Sequence, residues 1–400
     1  MNISSFSRAI WIRICLAFLT VMANSIVMPF IVVFFVGIVG ASTASWMVIV
    51  IGIISMIGYI VGGKAADYYG RKKIILLGEL FTGIGFLVVA FANMRENALA
   101  YVIFIGFIIV YLFSSMASPA YSALTIDEST TENRKAVYTV LMWSSYLAIA
   151  IGSMIGGILF YQYAPYLFIL LGGVSFIALI CVAIWIQDRF SRNTSQVTSH
   201  DIDDVQPSSK VVWKDYPFLL IASMTFIFVI MDHQLPYYLS LRYTQLFGSE
   251  GYQLIGILRT ENTLIVVCFT AVFVLLMKRV SNIAGLMCGM VVFFIGYLGL
   301  SVFQTPAFIY GAMFFVSIGE LMYVPTRQAI VAEVIPNDKR STYSGYLGVV
   351  GAVGGTSASI FIVLTNYLHP LMFTGIYAMF AILMFTVILA LNKVLRHSMI

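Results

Sequence analysis

Charge is what this chain has least of. Asp, Glu, Lys and Arg make up 10% of its 400 residues, while hydrophobic residues make up 61%. A soluble globular domain carries about 25% charged residues, so a water-exposed surface of ordinary size is excluded. Most of the apolar surface must face lipid or other membrane helices. Cysteine is scarce too. Cys15, Cys181, Cys268 and Cys288 all fall in apolar runs without paired spacing, so neither a disulfide framework nor a metal site is expected. They read as small packing residues. No helix carries a zinc motif, and no Gly-rich nucleotide loop precedes a lysine. Cofactors are therefore not expected, nor is an enzyme, and energy is expected from an ion gradient and not from ATP. The net charge of +5 lies in short tracts between apolar runs, which suits topogenic charge and not nucleic acid.

What the chain has is apolar length. A bilayer core of about 30 Å needs roughly 20 apolar residues per helix. Twelve runs qualify: 10–37, 44–66, 74–92, 99–124, 137–160, 166–187, 216–240, 252–277, 283–303, 307–332, 343–367 and 370–391. The first is too long for a signal-peptide core and lacks a cleavage site, so it reads as a retained helix. With the N-terminus inside, cytoplasmic segments hold Arg8, Lys64, the triplet Arg71 to Lys73, Arg134, Lys135, Arg189, Arg192, Lys210, Lys214, Lys278, Arg279, Lys339, Arg340, Lys393 and Arg396. The outer loops hold only Arg95 and Arg242. That asymmetry predicts cytoplasmic termini.

The one long polar segment, 187–214, carries Asp201, Asp203, Asp204 and His200. It predicts a cytoplasmic linker (188–214) between two six-helix bundles, 1–187 and 215–400. The halves are related. Pro119, Ala123, Asp127, Glu132 and Arg134 recur 206 positions later as Pro325, Ala329, Glu333, Asp338 and Arg340, and Lys72-Lys73 as Lys278-Arg279. Met28-Pro29-Phe30 resembles Leu235-Pro236-Tyr237 one residue out of step. Such order indicates a parallel repeat. Glycines in the fifth span (Gly152, Gly156, Gly157) and the eleventh (Gly345, Gly348, Gly351, Gly354, Gly355) are spaced for close helix contact.

Between the second and third spans runs Gly63-Lys-Ala-Ala-Asp-Tyr-Tyr-Gly-Arg-Lys-Lys73. Gly70 supplies the turn conformation that other residues resist. Asp67 lies one turn from Arg71, where a carboxylate pairs with guanidinium. The pattern resembles the loop between the second and third helices of major facilitator transporters. That resemblance implies an all-α integral membrane fold of twelve transmembrane helices in two pseudo-symmetric bundles.

An ionisable group in the hydrocarbon core costs at least ~2.5–3.5 kcal/mol, so each demands a reason. Asp232 lies in the seventh span, Glu320 near the middle of the tenth, and Arg259 and Glu261 about two turns into the eighth. Burial raises a carboxyl pKa and a neighbouring cation lowers it, so such groups exchange protons as their surroundings change. A static pair of Asp232 with Arg259 is the alternative. Glu79, one turn inside the third span, is expected to snorkel. His233 adjoins Asp232. Trp143, Tyr146, Tyr237 and Tyr323 are candidates for an adaptable, cation-friendly cavity wall.

The segments 126–135, 231–236 and 319–325 sharpen the resemblance to lactococcal-type multidrug–proton antiporters of the major facilitator superfamily. In that family the positions matching Asp67, Arg71 and Asp127 form a cytoplasmic conformational switch. Those matching Asp232 and Glu320 serve protonation and cationic substrate. The family's further carboxylate in the fifth helix is absent here, where Leu141-Met142-Trp143 stands, and the Gly-Pro pair usual in drug antiporters is reduced to Gly156-Gly157. The resemblance implies proton-coupled export of small amphipathic or cationic compounds by a monomer among plasma-membrane lipids. A dedicated exporter of one metabolite, such as a metallophore, and a lipid flippase remain open.

Overall fold

In the computed structural model of the chain, residues 6–94, 99–128, 134–186, 215–277, 280–334 and 340–398 are described. The expected linker 188–214, Arg95, Lys278, Arg279, Asp338 and Lys339 lie outside the described residues, as do the side chains of Asp67, Asp127, Arg134 and Arg340 and the surroundings of Gly345.

Among the described residues all regular structure is helical, as the apolar runs require. Helix α1 (Arg8–Val27) opens on Ser7, whose hydroxyl accepts the Ile10 amide at 3.3 Å. A 3₁₀ turn, Met28–Phe30, holds Pro29 and leads into α2 (Ile31–Tyr69). Gly40 breaks α2 at φ 77°, a conformation that only glycine adopts freely, so α2 contains the end of one crossing and the whole of the next. Gly70, at φ 97°, then turns the chain into α3 (Arg71–Asn93). Helix α4 (Ala100–Glu128) carries Pro119. Helix α5 (Arg134–Trp185) is broken at Tyr163, two residues before Pro165, because proline takes the helical amide away and crowds the turn before it.

Helix α6 (Tyr216–Asp232) is followed by a π turn, Leu235–Leu239, containing Pro236, and by the short α7 (Ser240–Phe247). Then come α8 (Ser249–Met277), α9 (Asn282–Val302), α10 (Pro306–Val334), α11 (Arg340–Ser357), α12 (Ile360–Leu364) and α13 (Pro370–Ser398). Nine segments among the described residues are long and apolar enough to cross a bilayer. Two of them, Arg8–Ala66 and Val140–Trp185, each hold two crossings around the breaks at Gly40 and Tyr163. Helix α8, 29 residues and thus about 43 Å long, supplies one more. Among the described residues, twelve crossings result.

The chain forms two compact units, Met1–Phe190 with Pro236–Thr263, and Ser191–Leu235 with Leu264–Ile400. In the first, α1 packs on α5, α2 on α4, and α3 on both α4 and α5. Small residues set these distances. A Cβ on Gly156 would lie 2.8 Å from the Ile26 carbonyl carbon, and one on Gly85 would lie 2.9 Å from the Gly106 carbonyl oxygen. Gly157 instead faces Gly256 of α8, 3.1 Å from its Cα by the same measure. Phe30, Phe34, Phe107, Phe160 and Phe168 interlock beside them. In the second unit α9 packs on α10 and α13, and α6 on α11 and α13. A Cβ on Gly319 would lie 2.6 Å from that of Phe293. Of the expected glycine stripe in α11, Gly354 meets Phe226 and Val229 and Gly355 meets His233, whereas Gly348 and Gly351 meet nothing within 4 Å.

Candidate functional site

Asp232 is the last residue of α6, where the helix gives way to the π turn. Its carboxylate and the His233 imidazole are each a little over one-third exposed, and Asp232 Oδ2 stands 4.0 Å from His233 Nδ1. That nitrogen also lies 2.9 Å from the Val229 carbonyl, one helical turn back. On the other side of the ring, a Cβ at Gly355 would fall 3.0 Å from His233 Nε2. The glycine of α11 is thus what makes room for the imidazole. Next in sequence, Gln234 is buried, donates to the Ile230 carbonyl at 2.8 Å and accepts the Tyr377 hydroxyl at 3.4 Å. The second unit therefore holds Asp232 and His233 on a fixed stub of helix.

Glu320 lies in α10, half-buried, and takes part in a polar interaction. Its neighbour Gly319 faces α9, which directs Glu320 about 100° away from that packed face. Tyr323 is fully buried in the second unit. Its ring stacks on Phe228 at 4.6 Å, and its hydroxyl donates to the Met224 carbonyl at 3.4 Å. It is a core residue in this structure and not a cavity wall, because one turn of α10 turns it between α6 and α9.

The other expected residues lie in the first unit. Arg259 and Glu261 are half-buried on α8. Between them Thr260 donates to the Ala150 carbonyl of α5 at 2.9 Å, so the two charged side chains flank a packed seam. Trp143 is exposed on α5 and Tyr146 half-buried. Tyr237 is half-buried in the π turn, while Tyr238 accepts a hydrogen bond from Arg242 at 3.3 Å.

At the turn after α2, Arg71 Nη1 donates to the Ala123 carbonyl at 3.3 Å, and Lys72 Nζ to the Ala183 carbonyl at 2.8 Å. Ala183 sits in the last turn of α5, where carbonyls lack intrahelical donors and the dipole favours cations, whereas Ala123 sits about a turn before the end of α4. This places the Arg71 guanidinium one turn from Asp127 along α4.

Sequence reasoning missed one cluster and misread its carboxylate. Glu79 does not snorkel. It is 6% exposed, and its Oε1 accepts the Tyr121 hydroxyl at 2.8 Å. The Arg13 guanidinium lies 4.4 Å above the centroid of that tyrosine ring. The second unit has a counterpart in Arg327, which donates to the Thr225 hydroxyl at 3.0 Å.

Long apolar helices that bring half-buried carboxylates to membrane depth, in a chain with a parallel internal repeat, define a multi-pass membrane transporter. The chain belongs to the Major Facilitator Superfamily, whose family model matches residues 14–359. It is 26% identical to a Na⁺, Li⁺, K⁺/H⁺ antiporter of Planococcus maritimus over 92% of both chains. It is 24% identical to the multidrug resistance protein MdtH of Blochmanniella floridana, over 74% of this chain and 71% of that one. Among solved structures it shares the fold of a D-xylose–proton symporter at a TM-score of 0.73, with 13% identity and 96% of both chains covered.

Proposed function

We propose that this transporter exchanges protons for amphipathic, often cationic compounds and exports them by alternating access. The observation that carries the proposal is the pair of half-buried carboxylates in the second unit, Asp232 at the end of α6 and Glu320 within α10. A carboxylate in low dielectric attracts a cation far more strongly than one in water, and it also binds protons, so substrate and proton compete for it. Glu320 carries the proton and Asp232 recognises positive charge. Asp67, Arg71 and Asp127 form a cytoplasmic latch, and the Arg71 bond to α4 supports it. Under this reading the protein works as a monomer in the plasma membrane, termini inside, without a cofactor. A relative named as a multidrug resistance protein is consistent with it.

The test is transport of ethidium by purified protein in proteoliposomes, with and without a pH gradient. Gradient-driven ethidium movement is expected. Glu320→Gln should abolish it while the protein stays folded, since the change removes the titratable group at almost constant volume. Asp232→Asn should weaken binding of cationic compounds more than of neutral ones. Equal losses for both classes would leave Asp232 a structural residue.

A second reading has an observation behind it. The relative that aligns over 92% of this chain is named as a Na⁺, Li⁺, K⁺/H⁺ antiporter. Proton movement elicited by Na⁺ but not by ethidium in the same vesicles would select monovalent metal exchange through the same carboxylates.

A further inference from the structure

The most enclosed carboxylate among the described residues is neither Asp232 nor Glu320. It is Glu79, in the other unit, and nothing in the proposed exchange uses it. Three helices converge on it. Helix α3 supplies the carboxylate, α4 the Tyr121 hydroxyl at 2.8 Å, and α1 the Arg13 guanidinium over the ring of that tyrosine. The Arg13 Nε is buried without a hydrogen-bond partner. The cation is therefore one group removed from the anion, and the phenol joins them.

We propose that Glu79 is a second proton-binding site, in the first unit, whose occupancy is set by the position of Arg13. A buried carboxylate is tolerated when a cation compensates it and otherwise neutralises by taking up a proton. Tyr121 satisfies both forms. Its hydroxyl donates to the ionised carboxylate and accepts from the protonated one. One proton enters from water, one O–H bond forms, and no other bond changes.

The helix packing makes the site responsive. Glu79 and Tyr121 belong to α3 and α4, which pack closely on each other, whereas Arg13 rides on α1, which packs chiefly on α5. A shift of α1 changes the distance from guanidinium to ring and leaves the carboxylate–phenol bond in place. The other polar groups that face the cluster come from α5. From α5, Ser175 hydrogen-bonds Glu79, Cys181 lies near Tyr121, and Tyr138 lies near Arg13. Helix α2 brings only Ala65 and Ala66 to the adjoining apolar cluster. Arg13 also lines a small cavity with Thr125 and Glu128 in the last turn of α4.

Any role in transport rests on the antiport reading, but the chemistry does not, so the test uses no substrate. Infrared difference spectra of the whole protein in lipid nanodiscs are recorded across a pH series. A carboxylic C=O band that titrates in wild type should vanish in Glu79→Gln. It should change frequency in Tyr121→Phe, which keeps the ring and loses the hydroxyl. In Arg13→Gln, proton binding at that band should tighten about tenfold, because a neighbouring cation opposes protonation. If Glu79→Gln does not fold, the frequency change in Tyr121→Phe decides alone. A wild-type spectrum in which no titrating carboxyl band responds to any of these substitutions overturns the proposal and leaves a static cluster. Failure of ethidium transport with the band present would sink the antiport reading and spare this one.

Discussion

The two halves of the repeat can be compared at the places where their third and fourth crossings pack. In the first unit α3 presents Glu79 and α4 presents Tyr121. At the 206-residue offset these positions are Gly285 in α9 and Arg327 in α10. The first unit thus brings together a buried carboxylate, a half-buried phenol and, from α1, a half-buried guanidinium. The second has a glycine and a guanidinium, with the Thr225 hydroxyl of α6 as acceptor. The helices that carry these residues meet through small residues in both units, Gly85 with Gly106 and Gly319 with the Phe293 backbone. What the two units share is the close approach of these helices at glycines. What differs is the charge placed behind it. The transport carboxylates proposed for the second unit, Asp232 and Glu320, likewise have no acidic counterparts in the first, where Ile26 and Ser114 stand 206 positions before them.

Removing the charge on one side is the strongest way to break this comparison. Glu79→Ala leaves Arg13 without compensation inside the first unit and should cost about 3–5 kcal/mol, read from reversible unfolding in mixed micelles. A loss near zero would mean that the guanidinium is already solvated and the cluster is ornamental to stability. The shared frame is tested by overpacking. A Cβ on Gly85 would fall 2.8 Å from Val110 Cγ2, and one on Gly296 would fall 2.6 Å from Val316 Cγ2. Gly85→Val and Gly296→Val should each cost about 1–3 kcal/mol. Similar thermal-melt shifts for the two would sharpen the parallel, and a loss confined to one variant would break it. The smallest effects come from single hydroxyls. Tyr121→Phe should cost about 1.5 kcal/mol, and Thr225→Val, with its partner less enclosed, about 1 kcal/mol. The reverse order in the same unfolding assay would show that the Arg327 bond is the tighter one.

Much of the frame is legible from sequence. Apolar length predicts the crossings, and the breaks at Gly40 and Tyr163 fall in the gaps between predicted runs. Gly70 adopts the φ that its place in the turn demands. The repeat is visible in Pro119 and Pro325, each inside its helix. The Glu79 cluster is not legible, because its hydrogen bond joins residues 42 positions apart and its cation comes from a third helix. A carboxylate one turn inside a span looks the same in sequence whether it reaches outward to water or inward to a tyrosine. The burial of Tyr323 is hidden for a related reason, since helical position gives depth but not which neighbour covers the ring.

The prolines of α4 and α10 also measure something. Each falls nineteen positions after its helix begins, from Ala100 to Pro119 and from Pro306 to Pro325. At 1.5 Å per residue that is about 28 Å, close to one hydrocarbon thickness. Across that stretch the two halves agree in their count of residues, although few positions between are identical. The segment serves as a ruler, with the same length in both halves and a different sequence in each.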